Sequence, residues 1–239
     1  MVNGMVKSWN RFFNRSKGTA ELNAPIKSTA FVSVDLELTG LDDKRDSIVS
    51  IGAVKMAGGK ILLTESFYML VNPKIAFCGP SVTIHGITPA DVCSQEGIEK
   101  VLREFIDFCG SDVVVGHCVE IDLAFLGRET RKLTGKPFTN PFIDTLALYG
   151  WLTSRHYPIG CSSRACGNSS LYEIAKHFAI PATIAHNAIM DAYITAQLFQ
   201  RFISELSNYG VKNVGDLLRI GNPSKGGIDS ITSGEIYNF

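Results

Sequence analysis

An apolar run that ends in two acids constrains this chain more than any other feature. In FVSVDLELTGL, Phe31, Val32 and Val34 read as a buried strand running into a turn at Thr39-Gly40, with Asp35 and Glu37 at its end. Residues i and i+2 of a strand point to the same side, so both carboxylates face one spot. Two anions held together repel, and a divalent cation between them removes that penalty. Oxygen donors are the ligands that Mg²⁺ and Mn²⁺ prefer.

Three more candidates arrive on helices. VVVGHCVEIDLAFL reads as a short buried strand (Val113 to Val115), a turn at Gly116 and then a helix. Asp122 falls near that helix start, with Leu123, Phe125 and Leu126 supplying core contacts. AHNAIMDAYITAQLFQRFI reads as a loop leading into a long helix, in which Ile189, Tyr193, Leu198 and Phe202 form the expected core-facing stripe. His186 precedes this helix and Asp191 lies about one turn inside it, where the helix dipole favours an acid.

The remaining pattern alternates strands and helices. Strands are expected at 29–36, 47–57 and 61–71, with a hairpin turned at Ala57-Gly58-Gly59-Lys60. Thr88-Pro89-Ala90-Asp91 is a good helix start, and helical spacing continues from Glu96 to Cys109 with Ile98, Val101, Leu102, Phe105 and Ile106 on one face. A strand near 112–116, the Asp122 helix and a short strand at Phe142-Ile143 follow. Ser170-Leu171-Tyr172-Glu173 is a capping box opening a helix to Phe178. The expected class is therefore α/β, a mixed central β-sheet flanked by helices on both faces.

Composition sets limits. A chain of 239 residues with 45% apolar content can bury one good-sized core. No apolar run reaches the ~18 residues of a membrane span, and the N-terminus lacks the apolar stretch of a secretory signal. Cysteines at 78, 93, 109, 118, 161 and 166 are scattered, which suits reduced thiols in a cytoplasmic protein. Net charge is zero, yet residues 1–27 set Lys7, Arg11, Arg15, Lys17 and Lys27 against Glu21 alone, leaving the rest at −4. Such a body is poorly suited to gripping long duplexes through many phosphates, and better suited to a few terminal nucleotides.

Four ordered segments carry a family resemblance: VDLELTGLDDKRDSIVSIGAV, VNPKIAFCGPSVTIHGIT, VGHCVEIDLAFL and HNAIMDA. Together, from about Thr29 to Ile203, they resemble the DEDDh 3′–5′ exonuclease superfamily of epsilon-type proofreading domains, RNase T and oligoribonuclease. The resemblance implies a ribonuclease H-like fold and two divalent metal ions, Mg²⁺ or Mn²⁺. It implies Asp35 bridging the ions, Glu37 and Asp191 on the nucleophile side, and Asp122 on the second ion directly or through water. His186 would be the catalytic base, since an imidazole titrates near ~6.5. Thr39, Gly40 and Leu41 would receive the terminal nucleotide. His85 divides between a substrate contact and a buried imidazole bonded to backbone, and His117 between a substrate contact and strand-end structure. Asp144 reads mainly as a helix cap, and His156 and His177 as surface or loop residues. Three positions depart from the pattern: Leu38 where a second Thr is common, Ser50 in place of an acid, and Cys118 where Asn is usual.

The implied activity is removal of nucleotides from 3′ ends, single-stranded DNA being the expected substrate. The alternatives are RNA trimming of the RNase T or oligoribonuclease kind, and a catalytically silent module that binds nucleic acid or a polymerase. Expected partners are nucleic acid 3′ ends and a polymerase or other replication or repair protein. The chain divides into a basic amphipathic segment (1–27), the exonuclease domain (28–206), and a C-terminal helix with a flexible tail (207–239). In the first segment Met5, Trp9, Phe12 and Phe13 recur at helical intervals, with packing on its own domain preferred over lipid, nucleic acid or a partner. The polar stretch 154–168 is expected to be a rim loop, and His156, Cys161 and Cys166 within it make only a weak metal motif.

Overall fold

Period-two alternation in one strand organises the molecule. The computed structural model describes residues 21–77, 79–156, 170–182 and 186–222. The amphipathic stretch over 1–20, Cys78, Cys161, Cys166, most of the expected rim loop and the tail from 223 lie outside the described residues. Strands β1 (Ala30–Leu38), β2 (Ile48–Ala57), β3 (Lys60–Leu70), β4 (Val113–Gly116) and β5 (Phe142–Asp144) form one sheet of order β3-β2-β1-β4-β5. The first three pair antiparallel, and β1, β4 and β5 run parallel, so the sheet is mixed.

Eight α-helices are described: α1 (Pro80–His85), α2 (Pro89–Val92), α3 (Ile98–Cys109), α4 (Glu120–Thr134), α5 (Thr145–His156), α6 (Leu171–His177), α7 (Ala188–Ser207) and α8 (Val214–Gly221). They cover both faces of the sheet. Val32, Val34, Ala53 and Val114 point to one face and pack with α3 and α4 through Val101, Leu102, Phe105, Phe125 and Leu126. Phe31, Val54, Val113 and Val115 point to the other, where α5, α6, α7 and α8 bring Leu148, Ile174, Phe199 and Leu217.

On that second face, β1 and α7 form the seam that places the acids. Phe31 meets Phe199 edge-on at 5.0 Å between centroids. One step along, the Ser33 hydroxyl donates to the Ala192 carbonyl at 2.8 Å, a long-range bond that fixes helix against strand. Asp35 and Glu37 continue the same face beyond it. Across the ladder Asp35 pairs with Gly52, and a Cβ at Gly52 would lie 2.2 Å from the Ala188 carbonyl carbon and 2.3 Å from Ile189 N. A hydrogen at Gly52 is what lets the first turn of α7 lie against the sheet.

Two local expectations are corrected, and one helix lies where none was expected. The stripe of α7 runs through Ala188, Ala192, Thr195, Leu198, Phe199 and Phe202, and Ile189 and Tyr193 are only half-buried at its margin. Helical structure is interrupted at 93–97, between α2 and α3, because Asn72 captures this stretch: its N–H donates to Glu96 O at 2.9 Å and its Nδ2 to Cys93 O at 2.9 Å. The short helix α1 in the Ile-His-Gly-Ile-Thr segment went unforeseen, although Pro80 at its first turn is a start signal.

Gly52→Ala should lower stability by about 1–3 kcal/mol through overpacking against backbone. Gly59→Ala, where a Cβ would meet nothing within 4 Å, should leave it nearly unchanged. Thermal melts of the two variants side by side check the contrast.

Candidate active site

Asp35 and Glu37 end β1, and Asp191 is the acid in the first turn of α7; their carboxylate oxygens lie within 4.8 Å of one another. Asp122, buried in the first turn of α4, stands outside that spacing but acts electrostatically on the same group. Burial, followed by the charges of Asp122, Asp191 and Glu37, holds Asp35 well above the usual carboxylate range. Burial and then Asp191 push Glu37 from 4.5 to about 8. Burial, Glu37 and Asp144 likewise raise Asp122. Asp191 is raised by burial despite a hydrogen bond from Tyr172 and the nearby His186.

The group fits a hard divalent cation. Its donors are all carboxylate oxygens, and its members are mutually destabilised as anions. Asp191 Oδ1 is buried without a hydrogen-bond partner among the described residues, while Oδ2 is occupied by Tyr172. A buried carboxylate oxygen left unpaired is costly, and a cation is the partner such an oxygen lacks.

His186 lies just before α7, exposed, with its backbone in the left-handed region at φ 56°. Its N–H donates to Tyr172 Oη at 2.6 Å, and that hydroxyl donates to Asp191 Oδ2 at 2.6 Å. The Tyr172 and His186 rings meet edge-on at 5.3 Å. Burial and Asp191 push the Tyr172 phenol up, so it remains a donor. Asn187 caps α7 by accepting from Met190 N–H at 3.3 Å, and it also bonds the Tyr68 hydroxyl. Burial raises the Tyr68 phenol, with the Glu37 charge adding to it, which places a half-exposed ring beside the carboxylates.

The expected substrate-side residues occupy a tied loop. Thr39 Oγ1 donates to Asp46 Oδ1 at 2.9 Å, Asp42 N–H donates to Asp46 Oδ2 at 2.9 Å, and Gly40 packs so close to that carboxylate that a Cβ would lie 2.5 Å from it. From α4, Arg128 donates to the carbonyls of Asp43 and, at 2.8 Å, Asp46. Leu41 is left 59% exposed at the tip. His85 Nδ1 accepts from Ile87 N–H at 3.0 Å, and burial lowers its pKa with the His186 charge acting the same way. His117 Nδ1 pairs with Thr145 Oγ1 at 2.9 Å. Asp144 accepts from Leu146 N–H at 2.8 Å, as a helix cap does, and also from Cys118 and Val119 N–H at 3.2 Å. Burial pushes its carboxyl to about 6 against those bonds.

Sequence reasoning missed Tyr172, Tyr68, Asn187, Asp46 and Arg128 as parts of this region. Only Asn187 left a signal, an Asn directly before a helix. Tyr172 was visible only as a member of a capping box.

Comparisons with known proteins follow the same outline. The exonuclease family model RNase_T matches residues 32–199. The DNA polymerase III subunit epsilon of Aquifex aeolicus (strain VF5) is 36% identical over 191 residues, covering 80% of this chain and 89% of that protein. The PolC-type DNA polymerase III of Thermotoga maritima is 32% identical over 191 residues, 80% of this chain but only 13% of that protein. Among solved structures, E. coli Exonuclease I in complex with a dT13 oligonucleotide aligns with TM-score 0.65 and 17% identity over 76% of this chain and 43% of that one. Exonuclease X in complex with 5′ overhanging duplex DNA aligns with TM-score 0.54 and 23% identity over 74% and 93%. These likenesses support the ribonuclease H-like fold. By the span of the family match and the identity to the epsilon subunit, the chain belongs to the exonuclease family.

Proposed function

We propose that this chain is a metal-dependent 3′–5′ exonuclease that hydrolyses phosphodiesters from the 3′ end of single-stranded DNA and releases nucleoside 5′-monophosphates. The observation that carries the reading is three carboxylates within 4.8 Å of one another at the end of β1, one of them with a buried oxygen that has no hydrogen-bond partner among the described residues. Asp35, Glu37 and Asp191, with Asp122 on a second ion, would hold Mg²⁺ or Mn²⁺, which supplies an acidified attacking water and charge relief on the departing oxygen. An imidazole nitrogen of His186 would take a proton from the attacking water, a role that its exposed position beside Asp191 supports. Leu41 offers an apolar face to the terminal base, and Thr39 and Gly40 shape the loop behind it. His85, whose Nδ1 accepts from Ile87 N–H, and His117, which pairs with Thr145, are proposed as further substrate-side residues. The DNA reading draws support from the polymerase subunit and the oligonucleotide complex named above, and a polymerase partner is proposed on the same ground. Among the described residues no helix is long and apolar enough to cross a membrane.

With Mg²⁺ or Mn²⁺, 3′-labelled DNA should yield mononucleotides, and Asp35→Asn should lose at least about 10³-fold in rate. A parallel assay on RNA and on paired ends separates DNA degradation from RNA trimming; no turnover on any 3′ end would favour the silent binding module. His186→Ala should cost roughly 10²–10⁴-fold in kcat. A near-unchanged rate would remove His186 as the base.

Stability should respond in the opposite sense. Glu37 is raised from 4.5 to about 8 on folding, so the stabilisation from its proton is full below 4.5 and is lost as pH rises through 8. Asp35, Asp122 and Asp191 shift the same way. Metal-free protein at pH 8 should therefore melt higher with Asp35→Asn than without it, by about 2–4 °C for each 1 kcal/mol relieved. Calorimetry with and without Mn²⁺ checks this, the cation raising the wild-type melting temperature more than the variant's.

A further inference from the structure

We propose that Tyr172 is a positioning residue that orients the Asp191 carboxylate for a cation and pins His186 beside it, through one hydroxyl. The proposal rests on the exonuclease reading for its consequence in catalysis, but its geometry stands independently. The phenol is presented by a short, firmly seated helix. Ser170 Oγ accepts from Glu173 N–H at 3.3 Å, and Glu173 Oε2 accepts from Ser170 N–H at 3.0 Å, closing the first turn of α6. Leu171, Ile174 and Ala175 bury the inner side of that helix in the core. Tyr172 therefore approaches α7 from a fixed platform.

One hydroxyl has one proton and can also accept. The proton goes to Asp191 Oδ2 at 2.6 Å, because a carboxylate oxygen can only accept it, and the lone pair receives the His186 N–H at 2.6 Å. The chain N–H to O–H to carboxylate is directional, and each bond polarises the next. Two consequences follow. With Oδ2 engaged, Asp191 cannot rotate freely, and Oδ1 is the oxygen left without a hydrogen-bond partner among the described residues, in a carboxylate that lies within 4.8 Å of those of Asp35 and Glu37. His186 meanwhile sits at φ 56°, a conformation that non-glycine residues rarely adopt and that needs outside support. Its own amide is where Tyr172 supplies that support, and the edge-on ring contact at 5.3 Å restricts the imidazole from the side. Two residues five apart, the proposed base and a proposed metal ligand, thereby share one contact atom from another helix.

Tyr172→Phe keeps the ring and its packing and deletes only the oxygen. Mn²⁺ affinity of the substrate-free protein, read by titration calorimetry, should fall about 10–100-fold, as for other outer partners of metal ligands. Exchange of the His186 amide hydrogen should accelerate. With Mn²⁺ saturating, kcat should fall about 10-fold or more while KM for the 3′ end stays within about twofold. A merely structural role would lower the melting temperature without this split. Should the Phe variant fail to fold, Asp191→Asn, which keeps an acceptor for the phenol, still reads the His186 branch: amide exchange should stay slow. Unchanged Mn²⁺ affinity in Tyr172→Phe, or fast exchange at His186 in Asp191→Asn, overturns the proposal. Wild-type protein that cleaves no 3′ end, with Mn²⁺ affinity still falling in Tyr172→Phe, would sink the exonuclease reading and leave the role of Tyr172 intact.

Discussion

The structure is governed by a repulsion it has to contain. Four carboxylates, Asp35, Glu37, Asp122 and Asp191, meet at one end of the sheet, all raised by burial and three of them by direct opposition of like charge. For Glu37 alone, a shift from 4.5 to about 8 corresponds to something on the order of 5 kcal/mol against the ionised form. The opposing term is the seam between β1 and α7. Phe31 and Phe199 are fully buried along it, and Phe202 is fully buried one turn on against Tyr149 and Phe178, each contributing about 1.5–3 kcal/mol. Two or three such residues offset one destabilised acid, and away from the carboxylates the seam is mainly apolar, Ser33 and Thr195 excepted. Ser33 is the instructive exception, because its hydroxyl is spent on the Ala192 carbonyl, not on solvent.

The same seam explains how much of the site was legible in the sequence. Asp35 and Glu37 were readable because a strand has period two and their neighbours are apolar on the alternate positions. His186 and Asp191 were readable because a helix start follows a recognisable loop. The sheet and most helices followed from the same periodicities, with the failures falling where a distant partner intervened. Asn72 broke the expected helix by capturing Cys93 and Glu96 from more than twenty residues away. In α7 the true stripe differs from the expected one because the helix is turned to put Asp191 and Ala192 against β1, which moves Ile189 and Tyr193 to the margin.

Contacts that span the chain left no sequence signal. Tyr172 reaches residues 14 and 19 positions away, and Arg128 reaches carbonyls 85 and 82 positions away. No spacing rule links such pairs, since each depends on where two elements settle after the core forms. Arg128 shows what such a contact accomplishes. Its side chain lies 5.0 Å over the Phe125 ring on the helix of Asp122 and holds the loop of Thr39, Gly40 and Leu41 by two carbonyls. The apolar tip and the helix that carries Asp122 are thereby tied together, and a loop tied in this way has less conformational freedom to lose on binding.

The departures from the family pattern acquire physical meaning in the same way. Cys118 has φ 52°, a conformation that Asn tolerates better than most residues, so the usual Asn has a backbone reason. Here the strain is carried by Asp144, whose two oxygens accept the amides of Cys118 and Val119 and so hold the entry into the Asp122 helix. Ser50 pairs with Glu37 across the ladder, and its hydroxyl is buried without a partner among the described residues. An acid at that position would add a fifth anion to the cluster, whereas a serine adds only an unsatisfied dipole, the smaller of the two costs in a site already dominated by charge. In both places the chain relocates a constraint instead of removing it: at Cys118 onto the Asp144 carboxylate, at Ser50 onto a buried hydroxyl.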